Sequence, residues 1–202
     1  MKTCRIGITG TMASGKSEVR LYLQKLGFSV FDADAVSREL METESMQTQC
    51  IEHFGTNICT QEGTVDRKKL AAAVFDSPEQ KKWLEDIMHP AVKERMLQDW
   101  KNHAHEQFWF AEVPLLFEAG WEDLFEEIWT AAVSNDEAVK RCIKNRGYTE
   151  EQAMQRLRTQ MNPQQQIVQS SKVFYNNGTI QQLHEQIDST LNELKVRYRD
   201  GA

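Results

Sequence analysis

The segment Gly10-Thr11-Met12-Ala13-Ser14-Gly15-Lys16-Ser17 constrains this chain more than any other stretch. It fits the pattern G-x-x-x-x-G-K-[ST], which becomes a phosphate cradle only with a strand before it and a helix after it. Both are legible. Ile6 to Thr9 is a short apolar run and reads as a buried strand. From Lys16 onward, Val19, Tyr22, Leu23 and Leu26 recur at i, i+3, i+4 and i+7, the spacing of one helix face. Gly27 then stands where a helix ends on a left-handed residue. By average composition the four fixed positions coincide by chance roughly once in a hundred such chains. With the right flanks on both sides, accident is a poor account.

The chemistry follows from the backbone. A loop that wraps an anion needs glycines where a side chain or a negative φ would interfere. Its N–H groups point inward, and the helix dipole behind them favours negative charge. Thr11, Met12, Ala13, Ser14, Gly15, Lys16 and Ser17 are therefore the expected ATP-binding residues, with Lys16 reaching the β- and γ-phosphates. Ser17 is expected to place its hydroxyl on Mg²⁺. The net charge of −6 argues against nucleic acid as a partner. It does not exclude a small phosphorylated ligand, because backbone N–H groups hold phosphate whatever the overall sign.

The rest of the chain alternates. Phe28 to Phe31, Phe108 to Val113, Ile128 to Val133 and Lys172 to Tyr175 read as further strands. Between them lie helices announced by caps: Ser134 with Glu137, Thr149 with Gln152, and Thr179 before Ile180, Leu183, Ile187, Leu191 and Leu194. Residues 35–106 carry no strand signal and read as helical, with Asp66 and Ser77-Pro78 as starts and His89-Pro90 as a joint. Strands alternating with helices predict an α/β fold with a parallel sheet flanked by helices. The 202 residues suffice for one core with attached lobes. The four cysteines form no C-x-x-C pair, and no apolar run reaches a membrane span or a signal peptide. The expected location is the cytoplasm, with no membrane partner and no evident obligate protein partner.

A nucleotide cradle alone does not separate kinases from switches. Asp32-Ala33-Asp34 follows the second strand at its carboxyl end, where ligands of such sheets bind. A carboxylate there could take a proton from an acceptor hydroxyl or help hold the metal. It could equally cap the following helix. Arg38 lies one helical turn beyond Asp34 and is a candidate for holding an anionic acceptor. Glu112, within a strand run, is a weaker candidate for metal-bound water.

These motifs together resemble the dephospho-CoA kinase family. The match is carried in order by Gly10–Ser17, Asp32-Ala33-Asp34 with Arg38, Asp66-Arg67 with Leu70 and Phe75, and Ile87-Met88-His89-Pro90. It continues through Pro114-Leu115-Leu116-Phe117-Glu118, then Arg141, Arg146, Arg156 and Gln160, and ends at Asn177-Gly178. The resemblance implies a P-loop kinase fold with a five-stranded parallel sheet, a helical substrate lobe and a lid. It implies one domain over 1–202, with a core at about 1–34, 107–140 and 170–202, a CoA lobe at about 35–106 and a lid at about 141–169. It implies transfer of the γ-phosphoryl of ATP, with Mg²⁺, to the ribose 3′-hydroxyl of 3′-dephospho-CoA, the last step of coenzyme A synthesis. Asp34, Lys16 and Arg141 take the catalytic positions. Asp34, Arg38, Arg67 and His89 take acceptor positions; Arg141, Arg146 and Asn177 join the loop on the ATP.

Two departures from the family stand out. Thr11 and Ala13 replace usual glycines, both at x positions, so the loop is expected to survive. Gln164-Gln165-Gln166 and Ser170-Ser171 replace its usual residues before the last strand. The competing readings are a nucleoside-monophosphate kinase, and a regulatory NTPase or inactive CoA-binding module. The early helical insert speaks against the first, and no switch motif is present for the second.

Overall fold

In the computed structural model, which describes residues 3–75 and 77–199, five apolar runs lie side by side as parallel strands. They are β1 (Cys4–Gly10), β2 (Val30–Asp32), β3 (Phe108–Glu112), β4 (Glu127–Ala132) and β5 (Lys172–Tyr175), in the order β2-β3-β1-β4-β5. The three middle strands are buried on both faces, hence their nearly unbroken apolar sequences. The register places Asp32 opposite Glu112, and Gly10 opposite Ala131.

Helices follow the strands in the order α1 (Lys16–Lys25), α2 (Ala33–Glu42), α3 (Glu44–Phe54), α4 (Arg67–Phe75) and α5 (Pro78–Asn102). Then come α6 (Asn135–Arg146), α7 (Glu150–Arg158), α8 (Pro163–Val168) and α9 (Ile180–Arg199). The chain divides into two compact units, Met1–Asp32 with Trp100–Ala202, and Ala33–Asp99.

The first unit holds the sheet. Phe110, Trp129 and Phe174 form an aromatic row across β3, β4 and β5, with ring centroids 5.3 and 5.4 Å apart. Leu183, Ile187, Leu191 and Leu194 of α9 and Val19 and Leu23 of α1 close over the strands. The end of α1 is a Schellman motif: the N–H of Phe28 donates to the Leu23 carbonyl and that of Gly27 to Gln24. Cys4 lies in this core, where burial pushes its thiol up to about 11. All four cysteines are free.

The second unit has its own core of Met41, Met46, Cys50, Ile58 and Leu70, with Trp83, Leu84, Ile87, Met88 and Ala91 packed against it. Here the expected joint at His89-Pro90 is corrected. Pro90 lies inside one continuous helix, α5. A proline in a helix interior costs about 3 kcal/mol. The helix tolerates it because partly buried residues on both sides of Pro90, Ile87 and Met88 before it and Ala91 after it, pack against the same apolar cluster. Asp66 caps α4 by accepting from the N–H groups of Lys68 and Lys69, which hold its carboxyl below the ordinary range.

Candidate active site

The cradle is built where β1 gives way to α1. Gly10 and Gly15 have φ of 143° and 103°, values that only glycine adopts without strain. Space is short as well. A Cβ on Gly10 would strike the Ala131 carbonyl, and one on Gly15 would strike the Asn176 amide. Ala13 also lies in the left-handed region, at φ 62°. The loop therefore forms with an alanine at this position, at a cost of about 1–2 kcal/mol. The Ser14 N–H closes a turn on the Thr11 carbonyl at 3.2 Å. The first N–H groups of α1, on Lys16 and Ser17, lack intrahelical acceptors and face out of the helix end.

Side chains from later elements fix the loop. Asn176, just after β5, donates to the Ser14 carbonyl at 2.8 Å. Arg141 of α6 donates to the Asn176 carbonyl at 2.7 Å and to the Ala13 carbonyl at 3.4 Å, and Glu137 accepts from its Nε at 3.0 Å. The Met12 N–H donates to Gln160 Oε1 at 2.7 Å. Lys16 Nζ rests on the Thr11 carbonyl at 3.0 Å, within the loop that it follows.

A cavity of about 670 Å³ opens over this arrangement. Ala13, Gly15, Lys16, Ser17, Arg141 and Arg146 line it, so six of the expected ATP residues come together. Lys140 and Lys144 of α6 line it too, and add positive charge that the motifs did not announce. Thr11, Met12 and Ser14 are buried and do not line it. Asn177 is not in its lining. Its Oδ1 accepts from the Ser134 N–H at 2.9 Å, at the start of α6. The neighbouring Asn176 is the residue that touches the cradle.

Ser17, the residue expected to hold Mg²⁺, lies among oxygen donors. Ser17 Oγ donates to Glu112 Oε1 at 2.9 Å. Glu112 is 4% exposed and sits at the carboxyl end of β3. Its Oε2 accepts from Arg20 Nε at 2.6 Å, and Arg20 also reaches Asp32 Oδ2 at 3.3 Å. A hydroxyl beside carboxylate oxygens, with no sulfur or imidazole joining them among the described residues, suits a hard cation such as Mg²⁺. The donor set therefore fits.

The acceptor candidates belong to the second unit. Asp34 is exposed in the first turn of α2, not in the loop before it. Arg38, one turn on, is also exposed. Arg67 donates to the Arg38 carbonyl at 2.9 Å and to Glu42 Oε1 at 2.7 Å, which ties the start of α4 to α2. His89 is half-buried on α5. The segment 164–171 has a structural task. The Ser171 N–H donates to the Ile128 carbonyl, and Ser171 Oγ accepts from the Ile128 N–H, so the segment joins β4 before β5 begins.

The sequence and the fold both have relatives. The family model described as dephospho-CoA kinase matches residues 4–182. A dephospho-CoA kinase of Carboxydothermus hydrogenoformans is 36% identical over 193 residues, covering 94% of each chain. One of Streptococcus mutans is 34% identical over 192 residues, covering 94% of this chain and 97% of its own. A crystal structure from Thermus thermophilus superposes with a TM-score of 0.84 at 32% identity, covering 96% of this chain and 99% of that one. In fold alone, a dephospho-CoA kinase of Campylobacter jejuni superposes with a TM-score of 0.70 at 23% identity, covering 94% and 96%. With the cradle intact and the match running from β1 into α9, the chain belongs to the dephospho-CoA kinase family.

Proposed function

We propose that this chain performs its family's reaction, phosphorylation of 3′-dephospho-CoA by ATP to give coenzyme A and ADP, with the work divided as follows. The cradle from Ala13 to Ser17 holds the β- and γ-phosphates by backbone N–H groups, and Lys16 leaves the Thr11 carbonyl to neutralise them. Arg141 and Arg146 cover the phosphates from α6. Phosphoryl transfer needs charge neutralisation and alignment more than covalent help, so cations on two sides suit it. Asp34 takes the proton of the ribose 3′-hydroxyl, and Arg38, Arg67 and His89 hold the acceptor. Asn177 acts from behind, by fixing the start of α6. Residues 35–106 serve as the CoA lobe and 141–169 as the lid that keeps water from competing as acceptor.

Ser17 and Glu112 would hold Mg²⁺, directly or through water, and the bound metal would draw charge from the β- and γ-phosphates. The observation that carries the reading is the polar cavity over a glycine-shaped anion cradle. No helix of the described residues is long and apolar enough to cross a membrane, and we place the reaction in the cytoplasm. An acceptor panel tests the substrate. Dephospho-CoA, AMP, CMP and adenosine are each incubated with ATP and Mg²⁺, and product mass is measured. The reading expects one added phosphoryl group on dephospho-CoA and little on the rest. Preference for AMP or CMP would make the chain a nucleoside-monophosphate kinase.

A further inference from the structure

Arg20 belongs to no motif in the sequence, yet it occupies the middle of the metal side of the site. It lies three residues beyond Ser17 on α1, so both side chains leave the helix on the same side. Its Nε donates to Glu112 Oε2 at 2.6 Å, its Nη2 lies 3.3 Å from Asp32 Oδ2, and its Nη1 donates to Gln24 Oε1 at 3.2 Å.

The two carboxylates make that cation necessary. Asp32 and Glu112 are register partners on adjacent strands, where like charges repel. The Glu112 side chain is only 5% exposed, so an ionised carboxylate there is costly without a partner. A guanidinium is always charged, and its planar fork can serve two carboxylates at once. By taking Oε2, Arg20 leaves Oε1 to the Ser17 hydroxyl. An ionised carboxylate only accepts, so the Ser17 proton points at Glu112 and the oxygen lone pairs remain open to a cation.

We propose that Arg20 is a positioning residue: a resident counter-cation that holds the Asp32 and Glu112 carboxylates aimed before Mg²⁺ arrives with the nucleotide, so that the metal enters a preformed site. This rests on the reading that Ser17 takes Mg²⁺. A merely structural ion pair would tie α1 to the sheet and be indifferent to divalent cations. A counter-cation, once removed, leaves two crowded carboxylates that a divalent cation can satisfy.

The test is thermal unfolding without nucleotide, in MgCl₂ and in NaCl of equal ionic strength. Without nucleotide phosphates to complete the coordination of Mg²⁺, and with the resident cation in place, the unchanged protein and Arg20→Lys should show the same Tm in both salts. Arg20→Gln should lose about 6 °C or more in NaCl, as expected for breaking a buried pair in a chain of this size. Mg²⁺ should return at least half of that loss. A parent-like Tm for Arg20→Gln, or a loss that Mg²⁺ does not reduce, would overturn the proposal. Should Arg20→Gln not fold, the double variant Arg20→Gln, Asp32→Asn must fold, because one carboxylate is gone; its failure would also overturn the proposal. A Tm rise of the unchanged protein with Mg·ATP is read separately, and its absence would count against the nucleotide site, not against Arg20.

Discussion

Lys16→Ala lowers kcat/KM by about a thousandfold or more while the protein stays folded. The size follows from where charge develops. The transferred group carries negative charge through the transition state, and removing one preorganised electrostatic partner commonly costs 10²–10³ in rate, more for a full cation at phosphate. A thousandfold corresponds to about 4 kcal/mol of lost transition-state stabilisation. The Lys16 ammonium donates to the Thr11 carbonyl, a contact within one loop, so its loss should spare folding. Such a hydrogen bond contributes about 1–3 kcal/mol at most. Steady-state rates with thermal unfolding on the same sample separate the two effects. Near-normal turnover would remove Lys16 from the chemistry and with it the cradle's catalytic role.

Asp34→Asn should lower kcat by about 10²–10⁴-fold, the usual weight of a positioned general base, and leave the KM for ATP nearly unchanged. Asparagine keeps the size and loses the charge, so it cannot take the hydroxyl proton. The side chain is exposed in the first turn of α2, where a carboxylate favours the helix dipole by under about 1 kcal/mol. Stability should therefore change little. The discriminating pattern is the split between kcat and ATP binding. A collapse of ATP affinity with kcat held would make Asp34 a metal or structural group.

What was legible in the sequence was what local chemistry dictates. Gly27 marked the end of α1 because only a glycine enters that left-handed turn cheaply, and the Schellman bonds are there. Thr149 with Gln152 announced α7, and both halves of its capping box are present. Ser134 with Glu137 was half right. Ser134 caps α6, but its own N–H goes to Asn177 and Glu137 turns to Arg141. The helix start was readable; the partners were tertiary.

The readings that failed or fell short depended on residues far apart in the chain. Pro90 looked like a break because local geometry penalises it, and packing of the flanking apolar residues overrode that penalty. Thr43 caps α3, but Met46 at the third helical position gave no capping-box signal. Of the two asparagines after β5, the sequence offered no means to tell that Asn176 would face the cradle and Asn177 the start of α6. No local signal singles out Arg20, because its partner Glu112 lies 92 residues away. The cradle itself was readable throughout, since its glycines answer to backbone conformation and close approach rather than to distant contacts.

The most direct measurement is a crystal structure of the complex with a non-hydrolysable ATP analogue, Mg²⁺ and dephospho-CoA. The account predicts the γ-phosphorus in line with the ribose 3′-oxygen, that oxygen within about 3 Å of the Asp34 carboxylate, and the Lys16 ammonium on the phosphates. A triphosphate seated away from the loop at Gly10–Ser17, or a 3′-hydroxyl with Asp34 out of reach, would contradict it.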